Sequence, residues 1–256
     1  MPGLSKRQEA LIKSLSSRHG RKGSDLCLCE GLRCCSDALA LRPELVDLLV
    51  LREDFQAFLP AISAEQVRLP ERQFDSLAGT ITSQGVFALL KKPEPPPADA
   101  PLADPFAFVL DRVSDPGNFG TILRTARAAG LKEVWYARGS TDPFAEKTIR
   151  SASASQFALS LRIFEDLAEL RTRLSALGVR RFFRTTPSGG KPIYGEAELF
   201  SHSAVIMGGE AFGAGALDGS VDVSIPMPGG AESLNVAQAS TIILFEHVRR
   251  LSSPVS

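Results

Sequence analysis

The chain has 256 residues, 44% of them hydrophobic, and its 29 basic and 29 acidic side chains cancel. That length suits one large domain or two modest ones with a true core. Zero net charge excludes binding to nucleic acid through bulk charge, and no apolar run is long enough to cross a bilayer. The N-terminus has no apolar signal core, so a cytoplasmic location is expected.

Residues 6 to 18 have helical spacing through Ala10, Leu11 and Leu15. Lys6, Arg7, Lys13, Arg18, Arg21 and Lys22 gather there, opposed only by Glu9 and Asp25. On charge alone this is the solvated face of a terminal helix. "DLCLCEG" alternates like a strand, and "LRCCSDALAL" is a short helix stopped before Pro43. Cys27, Cys29, Cys34 and Cys35 are spaced C-x-C and C-C, with only His19 close by. Metal sites want C-x-x-C pairs, so buried reduced thiols and no metal are expected. "VDLLVL", "QVRLP" and "GVFALL" are strand-like, with the helix "ERQFDSLAG" between the last two. This pattern predicts a small α/β sandwich.

Residues 91–104 are a proline-rich linker, "KKPEPPPADAPLAD". Proline fixes φ and removes donors, so a semi-rigid spacer is expected between domains at 1–90 and 105–256. Beyond it, strands "FAFVLDR", "EVWYA", "ALSLRIF", "RRFFRTT" and "AVIMGG" are interleaved with helices, and a long helix runs through "SLNVAQASTIILFEHVRRLSS". Such alternation predicts an α/β domain with a mostly parallel sheet covered by helices on both faces.

Three loops follow strands. In "DRVSDPGNFGTILRTARAAG", Asp115, Pro116 and Gly117 turn the chain, Asn118 is placed to cap the helix, and Arg124 lies off its apolar stripe. In "VIMGGEAFGAG", Gly208, Gly209, Gly213 and Gly215 permit close backbone approach around the single carboxylate Glu210. In "IPMPGGAESLN", two prolines and two glycines stiffen and fold a loop whose backbone groups are open to a flat polar ligand such as adenine, and Ser233 is placed to cap the next helix. In an α/β sheet, ligands bind at the carboxyl ends of strands. The loops hold no Cys or His nucleophile, which fits chemistry on a hydroxyl with a bound donor. The first loop lacks G-x-G-x-x-G, which argues against a dinucleotide Rossmann site.

The motifs "DPGNFGTILRTA", "MGGEAFG" and "IPMPGGAESLNVAQA" resemble, in the same order, the three motifs of the SpoU-type RNA ribose 2′-O-methyltransferases of the SPOUT class. "SKRQEALIKSL" and "LCLCEGLRCCSDAL" resemble the family's L30e-like RNA-binding domain. Departures stand at Gly209, where an Asn is common, at Ser155, and in "VAQAS".

The resemblance implies a trefoil-knotted C-terminal domain, an L30e-like N-terminal domain, and S-adenosylmethionine as methyl donor. It implies cofactor contacts from Met207, Gly208, Gly209, Ile225, Met227, Gly229, Ser233, Leu234 and Asn235. It makes Arg124 the residue that activates the 2′-hydroxyl or stabilises its alkoxide, with Asn118, Glu210, Ser233 and Asn235 beside it. It turns the basic N-terminal side chains into RNA contacts. The RNA is expected to be ribosomal; transfer RNA, or an RNA-binding module of the same fold without strong catalysis, are the alternatives. The last helix, apolar nearly all round, must be buried on more than one side, and the resemblance, to a family whose knotted domains pair through such helices, implies a homodimer.

Overall fold

The computed structural model describes residues 3–80, 82–209 and 213–252. Glu210 therefore lies outside the described residues. The chain divides into two compact units, Met1–Glu94 with Asp142–Ala158, and Pro95–Thr141 with Leu159–Ser256.

The first unit runs α1 (Lys6–Leu15), α2 (Arg18–Lys22), β1 (Leu26–Glu30), α3 (Leu32–Leu41), β2 (Val46–Arg52), β3 (Glu65–Leu69), α4 (Glu71–Asp75) and β4 (Val86–Lys91). Helix α1 opens with a capping box, in which the Ser5 hydroxyl accepts from the Gln8 N–H and the Gln8 side chain accepts from the Ser5 N–H. The sheet order is β1-β4-β2-β3, with β4 antiparallel to both neighbours and β3 parallel to β2. Strand alternation sends Leu28, Val50 and Phe87 to a core with Ile12, Leu15 and Phe74. The opposite face packs Cys27, Cys29, Cys34 and Cys35. All four cysteines are free and buried. Burial pushes the Cys27 and Cys29 thiols up, so they stay protonated and act as small apolar groups.

Arg21 departs from its expected place on the basic face. It is buried, its Nε 2.8 Å from Asp142 Oδ2, and its Nη1 donates to the carbonyls of Leu15 and Ser16. The last carbonyls of a helix lack intrahelical donors, and Arg21 supplies them at the end of α1. Lys6, Arg7, Lys13, Arg18 and Lys22 are exposed.

The second unit begins before its first strand. The carbonyls of Pro97 and Pro101 accept from the buried Arg162 guanidinium, at 3.3 and 3.0 Å. The Asp104 carboxylate accepts from the N–H groups of Lys132 and Glu133. Much of the proline-rich stretch is thus fastened down and is not a free spacer. Its extended backbone leaves carbonyls unpaired, and a guanidinium with five donors collects them.

The order continues with β5 (Phe106–Asp111), α5 (Pro116–Ala128), β6 (Glu133–Ala137), α6 (Glu146–Ala152), β7 (Ser160–Phe164), α7 (Leu167–Ala176), β8 (Arg181–Thr185), β9 (Lys191–Pro192), β10 (Ser203–Gly208), β11 (Val221–Ser224) and α8 (Val236–Ser252). Of these, α6 belongs to the first unit, where Ile149, Ala154 and Phe157 complete the cysteine-lined core. The remaining strands form one parallel sheet, β7-β6-β5-β10-β8-β11-β9. Every residue of β5 is buried, as a strand covered on both faces requires. Ala107 and Val109 meet Leu170 and Leu174 of α7 on one face. Phe106 meets His247 of α8 on the other. Among the described residues, no helix is long and apolar enough to cross a membrane.

Candidate active site

Because the sheet is parallel, strands β5, β10, β8 and β11 end on one edge. Gly208 at the end of β10 lies opposite Asp111 at the end of β5, and Val223 of β11 opposite Thr185 of β8. The loops leaving β8, β10 and β11 enclose a cavity of about 310 Å³. It is lined by Met207, Gly208, Gly209, Ile225, Met227, Ser233, Leu234 and Asn235, all expected there. Gly229 was expected too, but it is exposed and does not line the cavity.

The second loop is held by glycine geometry. A Cβ on Gly208 would fall 1.9 Å from the Ala214 nitrogen, and one on Gly209 would fall 2.3 Å from the Arg112 carbonyl oxygen. Only residues without a side chain let these backbones meet. The Gly209 N–H donates to the Asp111 carbonyl, and the Gly213 N–H to the Gly209 carbonyl, each at 2.9 Å.

Two caps are assigned to other residues than expected. Asp115, not Asn118, caps α5: its Oδ1 accepts from the Asn118 N–H at 2.8 Å, with Pro116 at the first helical position. Asn235, not Ser233, caps α8: its Oδ1 accepts from the N–H groups of Ala237 and Gln238. Both shifts have one cause. The better cap takes the residue immediately before the first helical turn, and each helix starts differently from where its apolar pattern begins. The consequence is that the Asn118 side chain is released from capping. Its Oδ1 accepts from Asn235 Nδ2 at 3.0 Å, which ties the first loop to the third.

Arg124 stands on the exposed side of α5 and does not line the cavity. Ser233 is exposed at the cavity rim. The sequence reading missed Thr185, Thr186 and Pro187, which line the cavity after β8. The signal was present, since "TTPSGG" is a Pro/Gly loop leaving an apolar strand of the same parallel sheet. Ile193, Val236, Ala239 and Ile243 also line it. The three on α8 were read only as part of its apolar face. Among the described residues, no cluster of His, Cys, Asp and Glu could hold a metal ion.

An α/β unit whose strand-end loops close on one cavity, under three motifs in fixed order, defines a class of small-molecule-dependent enzymes built on a parallel sheet. Residues 105–245 match the model of the SpoU rRNA Methylase family, so the chain belongs to that family. The chain is 32% identical to the 23S rRNA (guanosine(2553)-2′-O)-methyltransferase RlmP of Bacillus subtilis, over 93% of this chain and 94% of the relative. It is similar to an AdoMet-bound rRNA methyltransferase from Sinorhizobium meliloti, with TM-score 0.82 and 27% identity, covering 99% of this chain and 98% of the other. It is also similar to the SpoU methyltransferase AviRb from Streptomyces viridochromogenes in complex with AdoMet, with TM-score 0.79 and 26% identity, covering 97% of this chain and all of the other, 100%.

Proposed function

We propose that this chain transfers a methyl group from S-adenosylmethionine to a ribose 2′-hydroxyl of ribosomal RNA. The observation that carries the reading is the meeting of the second and third motif loops on one cavity, with the first motif loop tied to the third by the Asn118–Asn235 hydrogen bond. The cavity suits such a donor. Its volume of about 310 Å³ is that of a small-molecule pocket, Met207, Ile225 and Leu234 offer apolar surface, and the Gly208 cradle is one that a Cβ would fill. Met207, Gly208, Gly209, Ile225, Met227, Ser233, Leu234 and Asn235 would hold it, and it would supply the methyl group.

The chain's own residues do the rest. The Arg124 guanidinium binds the phosphate beside the target and stabilises the developing alkoxide. Asn118 and Glu210 position the ribose and Arg124, and Ser233 and Asn235 complete the hydroxyl contacts. In this reading Arg124→Ala abolishes methyl transfer, while the donor Kd from calorimetry stays within about twofold, because the arginine is outside the cavity lining. Near-normal turnover by that variant on its RNA would sink the role.

Two further features belong to the same reading. The segment after β10 threads a trefoil knot, which is supported by β10 lying between β5 and β8 although β8 precedes it in the chain. A donor-soaked crystal with residues 205–240 unthreaded would overturn that. The first unit is an L30e-like RNA-binding domain, using Lys6, Arg7, Lys13, Arg18 and Lys22, all exposed. Charge-reversal of these side chains should weaken RNA binding and flatten its salt dependence.

A further inference from the structure

We infer that Asp111 is a positioning residue for the donor cavity, acting through the peptide group of Gly215. This rests on the reading of the cavity as a donor site, and it adds a residue outside the cavity lining.

Asp111 ends β5, and its side chain is 4% exposed. A buried carboxylate needs several donors to offset its lost hydration. Here Oδ2 accepts from the Gly215 N–H at 2.8 Å, and both oxygens receive the Arg112 guanidinium at 3.0 and 3.1 Å. The next peptide group is held too, where Arg184 Nη1 donates to the Gly215 carbonyl at 2.9 Å. Arg184 is itself fixed by Asp222, with contacts of 2.8 to 3.1 Å. A Cβ on Gly215 would stand 3.1 Å from Asp111 Oδ2 and 2.9 Å from Leu167 Cδ1, so a side chain there would press on the clamp.

The Asp111 backbone carbonyl accepts from Gly209 as well. One residue therefore anchors the chain on both sides of 210–212, at Gly209 through its carbonyl and at Gly215 through its carboxylate. Gly208, Gly209 and Gly213 are cavity wall. A charge-assisted bond to Gly215 and a backbone bond to Gly209 hold that wall where the donor meets it.

The test compares Asp111→Ala and Asp111→Asn with the unaltered full-length protein. Donor affinity is read by calorimetry with S-adenosylmethionine, and backbone opening by amide hydrogen exchange without donor. Asp111→Ala should weaken donor binding by about ten- to a hundredfold, the effect of losing a charged buried acceptor. The donor KM should rise more than kcat falls. Gly215 should exchange at least about tenfold faster, while β6 and α7 keep their protection. Asp111→Asn, which keeps one acceptor oxygen, should recover part of both losses. A donor Kd within about twofold in Asp111→Ala overturns the inference, as does exchange that quickens evenly through the whole second unit. If the unaltered protein binds no donor, the cavity reading fails by itself. The exchange comparison then still decides the clamp: Gly215 slow in the unaltered protein and fast in the variant upholds it, and no difference sinks it.

Discussion

Asn235 joins two jobs that are separate in most proteins. Its Oδ1 caps α8 and its Nδ2 donates to Asn118, so one amide sets both a helix start and the spacing of two loops. Asn235→Ala removes the cap, at a cost of about 1 kcal/mol. In a chain of this size that lowers the melting temperature by roughly 2–4 °C. Methyl transfer should fall much further, by at least about a hundredfold, because the lost bond also unties the first loop from the third. Asn235→Asp separates the effects: it keeps the cap oxygen, so melting recovers, but loses the donor to Asn118, so activity does not. Equal recovery of both would show that Asn235 serves α8 alone.

At the residue scale the sequence exposed most of what mattered and misassigned what depends on exact helix starts. The glycines of the second loop were readable because apolar strand followed by "GG" has few explanations other than close backbone approach. The caps were not, since "DPGN" and "SLN" each offer two or more side chains able to accept, and only backbone geometry chooses among them. Arg21 failed for another reason. An arginine in a basic run looks solvated until a carboxylate far along the chain, Asp142, is brought to it.

At the scale of elements, α8 shows how a helix end is secured. Glu246 lies beneath Arg249 and Arg250, accepting from both at 2.7 to 2.8 Å, and Arg250 donates onward to the carbonyls of Ile193 and Glu196. Hydrogen bonding from Arg249, then from Arg250, holds the Glu246 carboxyl at about 2, below its ordinary 4.5. The folded value is the depressed one, so the stabilisation is complete above pH 4.5 and is lost as pH falls from there toward about 2. Arg249 is largely exposed, so solvent screening leaves a contribution of only about 1 kcal/mol. Glu246→Gln should therefore lower the melting temperature at pH 7 and converge on the unaltered protein near pH 2. A gap that persists undiminished at pH 2 would assign the loss to packing instead.

The short strands β9 and β11 were invisible in the sequence, and for a physical reason. Two to four residues carry no measurable alternation; β11 exists because β8 presents a ready edge, and β9 because β11 then presents the next. The long buried strands and α8 were plain, because burial on both faces writes an apolar run that no turn can carry.

At the scale of the whole molecule, the units part within the linker, between Glu94 and Pro95, but not only there. The first unit takes Asp142–Ala158 from beyond it, and its cysteine-lined core includes Ile149, Ala154 and Phe157. Ser153 adds a hydrogen bond to Asp37, and Asp142 receives Arg21. Nothing in the local pattern of α6 announces this, since a helix shows which face is apolar but not which sheet will cover it.

Assembly is the last whole-molecule question, and α8 bears on it again. It packs Val236, Ala237, Ile243 and Leu244 inward, yet Phe245 is 46% exposed and Leu251 71%. Tyr194, at 53%, is exposed in the segment that Arg250 grips. Large apolar side chains left in water beside the buried face of a helix mark a surface awaiting cover. We therefore expect a homodimer through this face of the second unit. Light scattering at low micromolar concentration should give twice 27.5 kDa, and Phe245→Glu with Leu251→Glu should halve it without lowering helix content. Only a 27.5 kDa species in the unaltered protein would refute the dimer, and a double variant that stays dimeric would move the interface elsewhere.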